Sequence, residues 1–156
     1  MKAERFEISD DFVIVGTALR TSPRTDATDI PPFWQRFLAE GIPRRLPRRS
    51  DDASVYAVYC DYESDCNGPY TMVLGVAVAA NAEVPAGMRR VRVPKGRYAR
   101  FVAEGDPSRV IWQTWGHING EWELRSERRY IADFERYPAD AAPGGPTRAE
   151  VVVGLA

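Results

Sequence analysis

The segment 89-RRVRVPKGRYARFVAEGDPSRVIWQTWGHING-120 decides the fold. Valines and aromatics alternate with arginines on both sides of 94-PKG-96, which predicts two extended arms joined by a bend or tight turn. Asp106 then precedes Pro107. A carboxylate there can accept from the first free helical N–H groups, and proline loses nothing in a first turn. Asn119-Gly120 can end the helix, and Ile111, Trp115 and Ile118 fall on one stripe of it.

Working outward, the helix is followed by a short 121-EWEL-124, a strand 130-YIADFERY-137, a turn-rich 138-PADAAPGGPTR-148 and a final strand 150-EVVVGL-155. The first half has the same order. A strand, 12-FVIVGTALRTS-22, leads into a helix, 29-DIPPFWQRFLAEG-41. Asp29 is its candidate N-cap, the prolines fall in the first turn and Gly41 stands at the end. The prolines of 42-IPRRLPRRSDD-52 predict a loop. The strands 54-SVYAVYCDY-62 and 70-YTMVLGVAVA-79 then read as a hairpin. The second of these is apolar on both faces, which places it centrally in a sheet, and Gly75 within it predicts a bend or a close backbone approach. The expectation is an α+β fold over residues 1–156 with two β-α-β-β halves, about 1–80 and 88–156, related by a pseudo-twofold. Such halves form one antiparallel sheet with two helices on one face and a concave site at their junction.

The totals narrow the function. With 156 residues, 44% hydrophobic and 28% charged, the chain has the composition of a soluble globular protein. A net charge of -1 supplies no basic field for nucleic acid. The cluster Arg44, Arg45, Arg48 and Arg49 is followed by two aspartates and lacks aromatics, so it reads as a solvated loop. The charged N-terminus does not resemble a signal peptide, and 71-TMVLGVAVAA-80 is half the length of a membrane span, so a cytoplasmic protein without membrane contact is expected. Cys60 and Cys66 read as buried or incidental thiols. The single histidine, His117, excludes a multi-histidine metal site. The run 61-DYESDCNGPY-70 fails as a calcium loop, with Cys66 where the turn glycine belongs and Met72 where the closing glutamate belongs. No cofactor or metal is expected.

The remaining chemistry is aromatic and acidic. Trp34, Trp112 and Trp115 lie on the helices, and Tyr56, Tyr59, Tyr70 and Tyr137 on or beside strands. Alternation along 130–137 puts Asp133, Glu135 and Tyr137 on one face and Phe134 on the other, and turns Glu123 away from Trp122. If that face is open, these groups are solvated. If the halves fold over it, they line a cleft, where a carboxylate among rings can pair with a cation or act as a general base.

The segments 33-FWQRF-37, 55-VYAVYCDYESDCNGPYTMVLGVAV-78, 91-VRVPKGRYARFVAEGD-106, 111-IWQTWGHI-118 and 130-YIADFERY-137 resemble, in order and spacing, the GyrI-like small-molecule-binding family. This is the effector-binding domain of AraC/Rob-type and MerR-type regulators. The resemblance implies a channel between the two halves for hydrophobic, aromatic or cationic compounds, with a glutamate inside. By that likeness, 120-GEWEL-124 gives the turn glutamate to Glu123, and 133-DFERY-137 gives a glutamate-x-tyrosine pair to Glu135 and Tyr137. Nothing precedes the domain, so no helix-turn-helix and no direct DNA contact are expected. Stand-alone members imply two alternatives. One is a metal-independent hydrolase opening cyclopropane-bearing toxins, with Glu123 as base, Trp112 or Trp115 stacking and Tyr137 holding the substrate. The other is a protein partner, DNA gyrase or a regulator.

Overall fold

In the computed structural model, which describes residues 1–139 and 146–156, two similar units follow one another. Strands β1 (Ala3–Ile8) and β2 (Phe12–Thr21) lead to helix α1 (Asp26–Ala39), a single-turn α2 (Ile42–Arg45), and strands β3 (Val55–Cys60) and β4 (Tyr70–Val78). Strands β5 (Arg89–Val93) and β6 (Gly96–Gly105) lead to α3 (Pro107–Gly120), a 3-10 turn (Arg125–Glu127), and strands β7 (Ala132–Tyr137) and β8 (Thr147–Gly154). The eight strands form one sheet in the order β1-β6-β8-β7-β3-β4-β2-β5. Every pairing is antiparallel. The order is symmetric about the β7–β3 junction, as a duplicated unit requires, and each expected β-α-β-β unit gains a further strand at its start, β1 or β5. Each unit also lends its first strand to the other, since β1 pairs with β6 and β5 with β2.

This exchange forces the sheet to curl. Strands β1 and β2 are joined by only three residues, 9–11, yet lie six places apart in the order. A flat sheet would separate them by about 29 Å, whereas four Cα steps span at most about 14 Å. The curl closes on the face that carries no helix. There Ile14, Val58, Val73, Val93, Tyr98 and Val152 form one core with the partly buried Phe6 and Phe12. Phe12 of β2 reaches Phe134 of β7, three places away, at 5.7 Å between ring centroids.

Gly16 faces Gly75 across β2 and β4. A Cβ on Gly16 would lie 1.8 Å from the Leu74 carbonyl oxygen, and one on Gly75 would lie 2.1 Å from the Val15 oxygen. The close approach expected at Gly75 is thus present, with a partner glycine. Gly16→Ala is expected to lower stability by about 2–3 kcal/mol, as overpacking between strands does. A urea midpoint equal to that of the wild type would refute this.

Both helices pack on the opposite face. Ile30, Phe33 and Phe37 of α1 cover β2–β4, while Ile111 and Ile118 of α3 cover β6 and β8. Asp106 caps α3 by accepting from the Ser108 amide at 3.0 Å, as its place before Pro107 predicts. Three local expectations are corrected. Helix α1 starts at Asp26, one turn before Asp29, whose carboxylate instead accepts from the Thr21 hydroxyl at 2.9 Å. Pro31 and Pro32 therefore lie inside the helix, which burial of Ile30, Phe33 and Phe37 carries through them. Residues 121–124 form a turn, because Trp122 inserts into the core against Phe101 at 5.0 Å. Strand β8 begins at Thr147, three residues earlier than expected, and residues 140–145 of the preceding connection lie outside the described residues.

Candidate functional site

The register of β3 and β7 pairs Val55 with Tyr137, Ala57 with Glu135 and Tyr59 with Asp133. Paired residues share a face, so all six side chains point toward the helices at the junction of the two units. Helices α1 and α3 flank that junction and leave a cavity of about 870 Å³ between them. Trp34 and Leu38 of α1 form one wall, and Ile111, Trp112 and Trp115 of α3 form the other. The rings touch edge to face or at a tilt. Centroids lie 5.1 Å apart for Trp34 and Tyr137, 5.1 Å for Tyr59 and Trp115, and 5.6 Å for Tyr59 and Tyr70.

Glu135 stands at the floor of this cavity with 1% of its surface exposed. Its Oε2 accepts from the Tyr59 hydroxyl at 2.5 Å and from Trp115 Nε1 at 2.7 Å, and its Oε1 accepts from the Tyr137 hydroxyl at 2.5 Å. Burial pushes the carboxyl above its usual range, and the three donors pull it part of the way back. Burial and the adjacent carboxylate push the Tyr59 and Tyr137 hydroxyls well above the ordinary tyrosine value, so both remain protonated and donate. All three partners are neutral. They satisfy the lone pairs of Glu135 without cancelling its charge.

A second polar cluster adjoins the first. Asp133, fully buried, accepts from Arg128 Nη2 at 2.9 Å, from the Tyr62 hydroxyl at 2.6 Å and, through its other oxygen, from the Gly154 amide at 2.8 Å. Arg128 also donates to Asn119 Oδ1, and its guanidinium lies 4.4 Å from the centre of the Tyr130 ring. Tyr130 reaches that position with φ of +55°, a conformation uncommon for a residue with a Cβ. Arg128 and Tyr62 both line the cavity.

Of the residues singled out in the sequence, Trp34, Tyr59, Tyr70, Trp112, Trp115, Glu135 and Tyr137 come together here. Tyr56 does not. It points into the helix-free core and donates to Asp52 at 2.5 Å, since residues 56 and 59 of one strand must face opposite ways. Glu123 does not either. It is exposed on the turn after α3, turned outward by the inward Trp122, and the glutamate inside the channel is Glu135. A general-base role for Glu123 therefore has no cavity to act in. Arg128 and Tyr62 were not anticipated. Alternation with Glu135 signals Asp133, but the arginine-rich 125–129 run gives no cue as to which arginine turns inward.

Two like units with a ring-lined cavity between their helices have the form of an effector-binding domain of the GyrI-like class. Residues 5–151 match the integron-associated effector binding protein family, Cass2, and the chain belongs to it. It is 30% identical over 145 residues to YobU of Bacillus subtilis (strain 168), described as a candidate transcriptional regulator, covering 90% of this chain and 89% of that one. Among solved structures, SAV2435 bound to tetraphenylphosphonium superposes with a TM-score of 0.82 at 17% identity, covering 100% of this chain and 94% of its own. The integron cassette protein VCH_CASS2 of Vibrio cholerae superposes at 0.69 with 20% identity, covering 99% and 95%. These likenesses show the fold. Among the described residues no helix is long and apolar enough to cross a membrane.

Proposed function

We propose that the protein binds a hydrophobic aromatic cation between α1 and α3, with Glu135 as its counter-charge. The observation that carries this reading is the buried Glu135 carboxylate, held by three neutral donors at the floor of a cavity walled by rings. A cation entering there gains an unscreened opposite charge and the faces of tryptophan and tyrosine, each such face contributing about 0.5–2 kcal/mol. The volume suits a drug-sized compound. The tetraphenylphosphonium held by SAV2435 is a ligand of this chemical kind.

Titration with tetraphenylphosphonium is expected to change the emission of Trp34, Trp112 and Trp115 in a saturable way, and a planar cationic dye is expected to compete. A folded protein whose fluorescence responds to neither would defeat the proposal.

Binding should depend on pH with a definite sign. A cation favours the ionised Glu135, so affinity is expected to be greatest above the raised carboxyl value and to fall as pH drops through it, by up to about tenfold per pH unit. Triphenylphosphine oxide, which is neutral, should show no such fall. For folding the sign is reversed. An acid whose folded value is raised supports the fold best when neutral, so this contribution is present below the ordinary carboxylate value and is lost as pH rises through the raised one.

A further inference from the structure

Among the described residues that line the cavity, three carry charge: Asp26, Arg128 and Glu135. Arg128 is answered by Asp133 at 2.9 Å, so that pair adds no net charge. The two carboxylates have no such answer. Neither Asp26 nor Glu135 is in an ion pair among the described residues, and the hydrogen bonds they accept there come from neutral tyrosine and tryptophan donors. A monocation held at Glu135 leaves Asp26 unmatched.

Asp26 is reachable. It stands in the first turn of α1, half-buried, and lines the cavity while keeping exposed surface. Its Oδ2 accepts from the Tyr70 hydroxyl at 2.8 Å. The amino end of a helix offers about half a positive charge, and Asp29 shares that turn, so the acids outweigh it. Two tyrosines connect Asp26 to the floor of the cavity. Tyr70 donates to Asp26, Tyr59 donates to Glu135 at 2.5 Å, and the two rings lie 5.6 Å apart between centroids. Both rings line the cavity, so an acid stands at each end of a strip of phenol faces.

We infer that Asp26 is a second counter-charge, so that the cavity prefers rod-like aromatic dications, with one positive group for Glu135 and one for Asp26, over monocations of the same shape. The inference rests on the proposed cation site and adds a second point of recognition to it.

A matched pair of rods tests it by calorimetry: the dication trans-1,2-bis(1-methylpyridinium-4-yl)ethene, and trans-1-methyl-4-(4-methylstyryl)pyridinium, in which carbon replaces one charged nitrogen. At low ionic strength the wild type is expected to bind the dication about tenfold more tightly, the order of one added, partly screened ion pair. Asp26→Asn keeps an acceptor for Tyr70 and removes the charge. There the ratio is expected to fall to about one, with the affinity for the monocation within about threefold of the wild type. Asp26→Ser, a second neutral residue tolerated at a helix start, should give the same ratio. Equal affinities for the two rods in the wild type, or a tenfold preference kept in either folded variant, would overturn the inference while leaving the cation site standing. Binding of tetraphenylphosphonium but of neither rod would do the same. If none of the three binds, the cation site and the dication inference both fall.

Discussion

Glu135→Gln is expected to weaken tetraphenylphosphonium binding by roughly 30- to 1,000-fold, about 2–4 kcal/mol, while leaving the fold as stable as before or more so. The geometry makes this substitution unusually clean. The amide oxygen can take the place of Oε2 and keep the bonds from Tyr59 and Trp115, and the amide nitrogen then faces a Tyr137 hydroxyl that can accept instead of donating. Shape and polarity survive and only the charge is lost. Because burial raises the Glu135 carboxyl, ionisation there opposes folding at neutral pH, and the amide relieves that cost. A drop in affinity together with an unchanged or higher melting temperature is the signature of a counter-charge. An affinity within threefold of the wild type would show that the rings alone hold the ligand.

Asp133→Ala carries the largest expected loss of stability. The substitution strands the Arg128 guanidinium, the Tyr62 hydroxyl and the Gly154 amide without the acceptor they share, at a point where Arg128 and Asp133 are 1% and 0% exposed. Breaking one side of a buried ion pair costs about 3–5 kcal/mol, a large share of the 5–15 kcal/mol by which ordinary domains are stable. Urea unfolding should show the loss as a shifted midpoint. Removing both charges, in Arg128→Met/Asp133→Asn, should restore most of it, because the penalty lies in the unpaired charge and not in the absence of the pair. A single variant that loses less than about 1 kcal/mol would mean that Arg128 had found another partner or reached solvent.

The duplication could be read from punctuation: the proline-led start of α3, the 94-PKG-96 break and the apolar run of β4 each reported a local preference that packing did not override, whereas the prolines of α1 lie inside their helix. The strand exchange could not. Nothing in 3-AERFEI-8 says that it pairs with a strand some ninety residues later, since β pairing is settled by tertiary contact. Within the site, strand alternation was sufficient for Glu135 and Tyr137, and applied strictly it would have separated Tyr56 from Tyr59. Glu123 was placed in the channel by the likeness of 120-GEWEL-124, whereas Trp122 takes the buried side of this turn against Phe101 and leaves Glu123 exposed. Arg128 escaped notice because nothing in 125-RSERR-129 distinguishes the arginine that is buried from its neighbours.

The reciprocal loan of β1 and β5 bears on how a ligand gets in. Asp11, between β1 and β2, accepts from the Lys95 amide at 2.8 Å and from Arg92 at 3.1 Å, fastening the two crossover links to each other. Neither half can swing away from the other as a clamshell jaw without tearing strands from the sheet it completes. The cavity opens on the helix side of the sheet, where the half-exposed Trp112 and Leu38 line it.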